Sequence, residues 1–388
     1  FAKTVGRHLL KFGGTFLRRL PGRWNEEVPV VGYANVADFL ANRPVSVVCT
    51  FGTAPFQGRA WETGFFIHDD FRLRPNLILN IGTRYEYFAV YREREGRFFN
   101  PDGWPGAVVN PPRLRPPNSA YNADRNNVTP RLGFAWTIDK QNKNVVRGGA
   151  GIFVAPFTII NFQTNIYTSF DIPFRSRFTG DDITKLGLKY PVYNDDVIKK
   201  ISGTPFPRGY LTFDPQNPNP YNIQYTLDYQ RRLARDLVLQ TGYVGNRALK
   251  IVASYTFNEP NRFTNVRPFP GAQPFTYQDA GESTYYHSWQ TSLRKRFSDN
   301  LGLNLHYTWG KGLSWSAGDF NWGGSGGYQD QDNKRADKGP ISYDLTHRFV
   351  ADYIYQLPVD RWVGATGALR HAIGGWQLSG ILSAQVGG

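Results

Sequence analysis

Long stretches of strict alternation between apolar and polar residues recur along this chain. From Asn222 to Gln230, Ile223 and every second residue after it are apolar or aromatic, and the residues between them are polar. Leu77 to Tyr87 and Leu301 to Trp309 follow the same period of two. Alternation of this kind predicts β-strands that have one apolar face and one polar face.

The strands are predicted to be long and to be joined in hairpins. Short polar turns, such as Leu73 to Asn76 and Ser298 to Asn300, separate consecutive alternating runs. We count about eleven strands, each close to the ~9–11 residues that a tilted strand needs to cross a bilayer. Strands of soluble proteins average only ~5–6 residues. The length of the runs therefore favours a membrane-spanning sheet.

The connections between the predicted strands alternate between short and long. Short turns at one end and long loops at the other are typical of an outer-membrane barrel, in which the long loops are extracellular. We therefore predict an all-β, multi-pass transmembrane antiparallel β-barrel in the cell outer membrane. A soluble propeller or sandwich is disfavoured, because loops of this length are uncommon in compact domains. The long connections are Arg92 to Val128, Pro156 to Pro220, Arg247 to Ser283 and Ser314 to Ser342.

The polar faces carry charges that a dry core would not tolerate. His68, Asp70, Arg84 and Glu86 lie at polar positions of two neighbouring predicted strands. Burying such groups in an apolar interior costs several kcal/mol each. A water-filled or plugged lumen avoids this cost, so the polar face is predicted to line the lumen and the apolar face to contact lipid.

Composition and charge exclude further classes of protein. Aromatic residues make up 15% of the chain, and 40 Gly and 26 Pro accompany them, which excludes a helical bundle. A single cysteine, Cys49, excludes an intrachain disulfide. The net charge of +14 would suit nucleic acid or anionic lipid. Because the basic residues are scattered and match no nucleic-acid-binding motif, nucleic acid is not an expected partner.

Nine segments, taken in order along nearly the whole chain, resemble the barrel of the Oar-like branch of TonB-dependent outer-membrane receptors. Ala37 to Leu40 also matches a loop segment typical of this branch. Each segment alone is a weak signal, and the nine in sequence are specific. The segments are His8 to Phe16, Phe66 to Tyr87, Thr129 to Trp136, Val145 to Phe153, Asn219 to Leu233, Leu237 to Lys250, Ser292 to Leu313, Asp344 to Pro358 and Gly374 to Ile381.

The resemblance implies a single-chain barrel of about 22 strands that is closed by an N-terminal plug. About half of those strands are expected here, so residues 1–388 are predicted to be a partial barrel domain. The plug, the motif that contacts the TonB energy-transducing complex and the C-terminal strands are expected to lie outside this chain. The implied partners are outer-membrane lipid, lipopolysaccharide, the TonB complex and an extracellular ligand of unknown identity.

Two functions follow from the resemblance. The first is energised uptake of an extracellular ligand, and the second is a structural or adhesive surface barrel without transport. Catalysis is not expected, and no catalytic residue is predicted. Gly323 to Gly327 places Ser325 in the nucleophile-elbow pattern, but the segment reads as a glycine-rich loop without a following helix.

No cofactor or metal site is predicted. His68 and Asp70 share a strand face and are expected to form a hydrogen-bonded pair rather than a metal site. Two carboxylate pairs, Asp181-Asp182 and Asp195-Asp196, have the oxygen ligands that calcium prefers, although solvated loop residues are the favoured interpretation. Gly148 to Gly151 lacks the helix of a dinucleotide-binding loop and is predicted to be part of a strand.

Aromatic residues in the predicted loops are the candidates for ligand contact. Exposed aromatic rings often stack on sugars or peptides, and the alternative is that these rings pack within the loops. The candidate extracellular ligand contacts are Trp104, Trp315, Phe320, Trp322 and Tyr328.

Overall fold

The structure is a computed structural model, and it is dominated by β-strands. It describes residues 1–24, 28–51, 55–94, 121–156, 174–201, 211–257, 259–261, 263–267, 275–315, 328, 330, 333–364 and 366–386. The strands are β1 Ala2–Val5, β2 His8–Arg19, β3 Gly22–Trp24, β4 Val30–Gly32, β5 Ser46–Phe51, β6 Pro55–Arg74, β7 Leu77–Phe88, β8 Arg92–Glu93, β9 Val128–Thr137, β10 Asn144–Val154, β11 Phe174–Thr179, β12 Leu211–Phe213, β13 Tyr221–Arg232, β14 Leu237–Phe257, β15 Phe275–Ser298, β16 Leu301–Ser314, β17 Gly339–Pro340, β18 His347–Gln356 and β19 Gln377–Gln385. The helices are α1 Val36–Leu40, α2 Asp181–Leu186, α3 Asn194–Ile201, α4 Val359–Trp362 and α5 Gly367–Ile373, together with a 3₁₀ turn at Lys334–Asp337.

Most strands belong to one large antiparallel sheet. Its 16 strands follow the order β1-β2-β6-β7-β9-β10-β13-β14-β15-β16-β18-β19, with four short strands attached beside this path. Consecutive long strands along the path pair antiparallel with their neighbours, as in a series of hairpins. The described strands form a partly closed barrel wall with β1 and β19 at its two edges, and the predicted all-β barrel class is confirmed.

The register places the polar and apolar residues of an alternating run on opposite faces of the sheet, as predicted. Asn304 pairs with Asp352, and its side-chain amide donates to the Asp352 carboxylate over 2.7 Å. The next residue, Leu305, pairs with Leu293 on one side and with Ala351 on the other. Directly paired residues point to the same face of a sheet, so Asn304 and Asp352 lie on one face and Leu305, Leu293 and Ala351 lie on the other.

Tight turns lie together at one end of the sheet, which we call the short-turn end. They comprise residues 6–7, 75–76, 138–143, 233–236 and 299–300. Asp299 and Asn300 have φ of 48° and 66°. Two consecutive positive φ values are typical of a two-residue hairpin turn, and Asp and Asn accept this conformation more readily than most residues. The opposite end, where the long connections start, is called the long-connection end.

Three strands are about twice as long as the sequence predicted. β6, β14 and β15 contain 20, 21 and 24 residues, which exceeds the ~9–11 residues needed to cross a bilayer. The predicted bounds of the long connection from Arg247 to Ser283 are therefore wrong, because β14 continues to Phe257 and β15 begins at Phe275. Register shifts between Leu249 and Ala253 interrupt the alternation, and this irregularity hides the continuing strand from a sequence pattern.

Part of the long connection from Pro156 to Pro220 folds together with residues 28–51 into a unit that we call the cap. β4, β5 and β11 form its three-stranded sheet, and α2 and α3 lie against that sheet. The predicted irregular connection from Pro156 to Pro220 therefore contains regular structure. Sequence pattern could not show this, because β5 and β11 are short and far apart in the chain. The core of the cap consists of Val47, Cys49, Phe178, Ile183, Leu188 and Val197.

The last hairpin differs from the others at its turn. β18 pairs antiparallel with β19, but α4 and α5 occupy the connection between the two strands. Neither helix was predicted. Across the described residues, no helix has the length and apolar character needed to span a membrane.

Candidate functional site

The polar face of the large sheet, called here the polar wall, is organised around Asp70. Its carboxylate accepts hydrogen bonds from the Lys11 ammonium at 2.6 Å and from the Asn80 amide at 2.5 Å. The His68 ring nitrogen Nε2 lies 2.8 Å from Asp70 Oδ1, the same oxygen that accepts from Asn80. Lys11, His68 and Asn80 come from three neighbouring strands, so this network ties β2, β6 and β7 together. The predicted His68–Asp70 hydrogen bond is confirmed.

Further along the polar wall, charges remain paired but accessible. Arg84 Nε lies 2.9 Å from Glu86 Oε1 on the same strand. The Arg131 guanidinium lies 4.4 Å from the centre of the Phe153 ring. Gly82 leaves room for His68, since a Cβ at this glycine would stand 2.7 Å from the His68 ring. The result is a hollow of about 330 Å³ whose lining includes Lys11, His68, Arg84 and Arg131.

This arrangement suits contact with water and polar solutes. Most of the charged groups that meet in the wall are ion-paired, yet their side chains keep about 15–45% of their surface exposed. Exposed pairs contribute little to stability, because water screens them. The wall is therefore suited to line an aqueous lumen rather than to hold a dry core together.

Asn42 links two segments of the cap that are far apart in sequence. The Asn42 amide donates to the Tyr190 carbonyl at 2.6 Å and accepts from the Tyr190 N–H at 3.0 Å. The Tyr33 hydroxyl donates to the same Asn42 oxygen at 3.1 Å. In the core of the cap, Cys49 is completely buried, and burial raises the pKa of its thiol to about 11. A thiol in this state is chemically inert.

The cap also exposes an apolar patch beside the Asn42 contact. Large side chains of α1 and of the segment before α3 are more than half exposed. Single exposed apolar residues are ordinary, whereas neighbouring ones often mark an interaction surface. The members of this patch are Val36, Phe39, Leu40, Tyr190 and Tyr193.

A cluster of aromatic and basic residues, called here the rim cluster, lies at the long-connection end. The Tyr285 and Trp315 rings are 6.5 Å apart. Arg247 and Lys338 lie 5.0 Å and 5.5 Å from the centre of the Tyr285 ring. Arg335 lies 5.8 Å from the centre of the Trp315 ring. These are cation–π distances, which hold the cations over the rings.

Tyr328 lies next to the rim cluster and is buried. It packs with Ala253 and Tyr277, and Lys334 lies 5.1 Å from its ring while pairing with Asp279 at 2.8 Å. Burial raises the pKa of the Tyr328 hydroxyl above its usual value. Of the predicted ligand contacts, Trp315 is half-buried in the rim cluster and Tyr328 is buried beside it. Trp104, Phe320 and Trp322 lie outside the described residues, so the five are not shown together.

The other sequence candidates have ordinary positions or lie outside the described residues. Asp181-Asp182 and Asp195-Asp196 occupy the first turns of α2 and α3, where carboxylates stabilise a helix. Gly148 to Gly151 lies within β10, as predicted. Ser325 is among the residues not described. Within the described ranges, no group of three acidic, histidine or cysteine side chains is arranged to hold a metal ion.

Sequence reasoning missed the cap and the rim cluster. Arg247 and Lys338 read as ordinary scattered charges, and only the three-dimensional structure brings them to one tyrosine. The exposed Phe39 and Leu40 fall in the recognised segment Ala37 to Leu40, which was the available signal for that surface.

Comparison with known proteins agrees with this fold. Residues 1–388 match the family described as outer membrane beta barrel domain, and the chain belongs to this family. It is an outer-membrane protein. No curated protein matches the sequence.

Among solved structures, the chain is similar to the outer membrane transporter YddB from Escherichia coli, with 12% identity and a TM-score of 0.54. That match covers 93% of this chain and 39% of YddB. The chain is also similar to P. aeruginosa FpvA, solved with bound pyoverdines, with 10% identity and a TM-score of 0.49. That match covers 99% of this chain and 36% of FpvA. The chain thus spans well under half of these proteins, and at this identity the YddB likeness establishes the fold alone.

Proposed function

We propose that this chain is part of the barrel of a TonB-dependent receptor of the Oar-like branch, which takes up an extracellular ligand. The polar wall carries this proposal, because long strands with a charged, hydrated face fit a wide lumen that polar solutes cross. The nine segments that resemble this branch support the finer assignment. We further propose that a plug and the closing strands belong to parts of the protein outside residues 1–388.

In this proposal the ligand arrives at the long-connection end, and the TonB complex acts through a region outside this chain. Trp315 and the other aromatic candidates, Trp104, Phe320, Trp322 and Tyr328, would contact the ligand there. No catalytic residue is part of the proposal.

The test uses the full-length protein purified from outer membranes. We expect it to bind the periplasmic domain of TonB, and we expect cells with the gene to deplete at least one medium component that deletion cells leave. A protonophore should abolish this depletion. The proposal fails if TonB does not bind and if no depletion depends on both the gene and cell energy.

A structural or adhesive surface barrel is the second candidate. The apolar patch on the cap favours it, because Phe39, Leu40 and Tyr190 form an exposed surface suited to a protein partner. The double substitution Phe39→Ser/Leu40→Ser should reduce cell-to-cell adhesion and leave uptake unchanged if adhesion is the function. Unchanged adhesion would exclude this role for the patch.

A further inference from the structure

The apolar face of the sheet carries an aromatic row that marks a boundary. Tyr243, Trp289 and Trp309 stand in direct register across β14, β15 and β16, and Leu227 continues the row on β13. Trp289 and Trp309 are 48% and 58% exposed. Outward-facing Trp and Tyr in a membrane barrel lie at the level of the lipid headgroups. This row therefore marks the edge of the lipid layer toward the long-connection end.

The rim cluster lies just beyond that boundary on the same face. Arg247 pairs with Tyr285, which pairs with Leu313, so these residues form a row parallel to the aromatic one. Arg247 follows Tyr243 by four residues, which is about 13 Å along the strand and less in height because strands are tilted. The basic side chains are thus at the depth of lipid headgroups rather than of acyl chains.

The positive charges of the rim cluster lack acidic partners in the part of the chain that the structure describes. Arg247, Arg335 and Lys338 contact aromatic rings but form no ion pair with a described residue. Lys311, in the row between, is different, since its ammonium pairs with the buried Asp344 at 2.5 Å. Uncompensated cations beside a membrane attract anionic headgroups.

We propose that Arg247, Arg335 and Lys338 bind the phosphate groups of lipopolysaccharide in the outer leaflet. Arginine and lysine both bind phosphate, and the Tyr285 and Trp315 rings hold their side chains in place. The aromatic row below would contact the acyl chains of the same molecule. The proposal does not depend on the transport function.

The experiment measures lipopolysaccharide that stays with the full-length protein after extraction in detergent. The variant is Arg247→Glu/Lys338→Glu. The matched control is Arg348→Glu, because Arg348 is exposed, pairs with Thr308 beside the aromatic row, and lies on the polar wall. We expect the variant to retain lipopolysaccharide on the order of tenfold less, and the control to retain as much as the wild type.

A second measurement separates phosphate recognition from general lipid binding. The purified protein is placed in phospholipid vesicles that contain either intact or enzymatically dephosphorylated lipopolysaccharide. We expect the wild type to bind the intact form at least about tenfold better. Equal binding of the two forms overturns the proposal. The proposal is also overturned if Arg247→Glu/Lys338→Glu and Arg348→Glu lose the same amount of retained lipopolysaccharide.

Folding is checked by the heat-dependent shift in gel mobility of the barrel. If Arg247→Glu/Lys338→Glu does not fold, Arg247→Gln/Lys338→Gln replaces it, and a reduced but measurable loss of retained lipopolysaccharide is expected. Unchanged retention in that folded variant contradicts the proposal. TonB binding and uptake are measured separately, so failure here leaves the receptor proposal standing.

Discussion

Leu305 and Asn304 are adjacent in sequence and lie on opposite faces of β16. Leu305 is five residues from the turn at Asn300, roughly halfway along the ~9–11 residues that span a bilayer. Asn304 already bonds to Asp352 on the polar wall. The environment of each side chain is thus set by whether its position is odd or even.

A charge at Leu305 should be far more costly than one at Asn304. Leu305→Arg should lower the free energy of unfolding in lipid vesicles by about 2–4 kcal/mol, since the arginine faces hydrocarbon. Asn304→Arg can pair with Asp352 and should change it by less than about 0.5 kcal/mol. Equal effects of the two substitutions would contradict the assignment of faces.

Cys49 is expected to report on the integrity of the cap. Because the thiol is buried and its pKa is raised to about 11, maleimide should label it slowly at pH 7. The control is Lys189→Cys in a Cys49→Ala background, which places a thiol on the cap surface. We expect labelling of Cys49 to be on the order of 100-fold slower. Similar rates would mean that the cap core is open.

At the scale of single elements, the turn between β13 and β14 shows how one carboxylate fixes a hairpin to its neighbour. Asp236 accepts a hydrogen bond from the Ser298 hydroxyl and another from the Lys295 ammonium at 2.9 Å. These contacts lower the pKa of Asp236 to about 2, and the hydrogen bond from Ser298 contributes most to this shift. The turn of one hairpin is thereby held against the next.

This pKa predicts a pH-dependent stability. The ionised Asp236 stabilises the folded state fully at pH values above the unfolded-state pKa of about 3.9. This stabilisation is lost as the pH falls through the folded-state pKa of about 2. Asp236→Asn should therefore lower the thermal midpoint at pH 7, and its difference from wild type should shrink toward pH 2. Asp299→Asn, at an exposed turn position, serves as the control. A constant difference for Asp236→Asn would rule out the ionic contribution.

The cap depends on the contact between Asn42 and Tyr190. Asn42→Ala removes two backbone hydrogen bonds, and it also disfavours the positive φ of 48° at this position. Local opening should become easier by about 1–3 kcal/mol, so Cys49 should be labelled about 5- to 100-fold faster. Arg43→Ala, which removes only an exposed ion pair, should have little effect. Comparable acceleration by both substitutions would argue against a specific clamp.

For the whole molecule, the unequal connections define its orientation. The cap and the rim cluster lie at the long-connection end, and the tight turns lie at the other end. In outer-membrane barrels long loops face outward and short turns face the periplasm. Both proposals require this orientation.

An epitope tag near Lys189 in the cap should bind antibody on intact cells. A tag at Asp299 should bind only after the outer membrane is opened. The reverse result would invert the topology, and it would remove the structural basis of ligand entry and of lipopolysaccharide binding.

The sequence predicted some parts of the fold and not others. Strands β7, β13 and β16 were predicted, because their alternation is regular. The long hairpin of β14 and β15 was not, because bulges near Ile251 break the period. The ligand candidates Trp315 and Tyr328 were chosen as loop aromatics, and the structure adds that one is half-buried and the other is buried.

The sequence by itself determined the regularly alternating strands, the two faces of each and their hairpin order, because the period of two and the turn residues are local properties of the chain. Only the tertiary structure decided the cap and the rim cluster. Asn42 and Tyr190 are 148 residues apart, and Arg247 and Lys338 meet over Tyr285 from separate elements. Such contacts depend on how curved strands bring distant connections together, and no local pattern encodes that geometry.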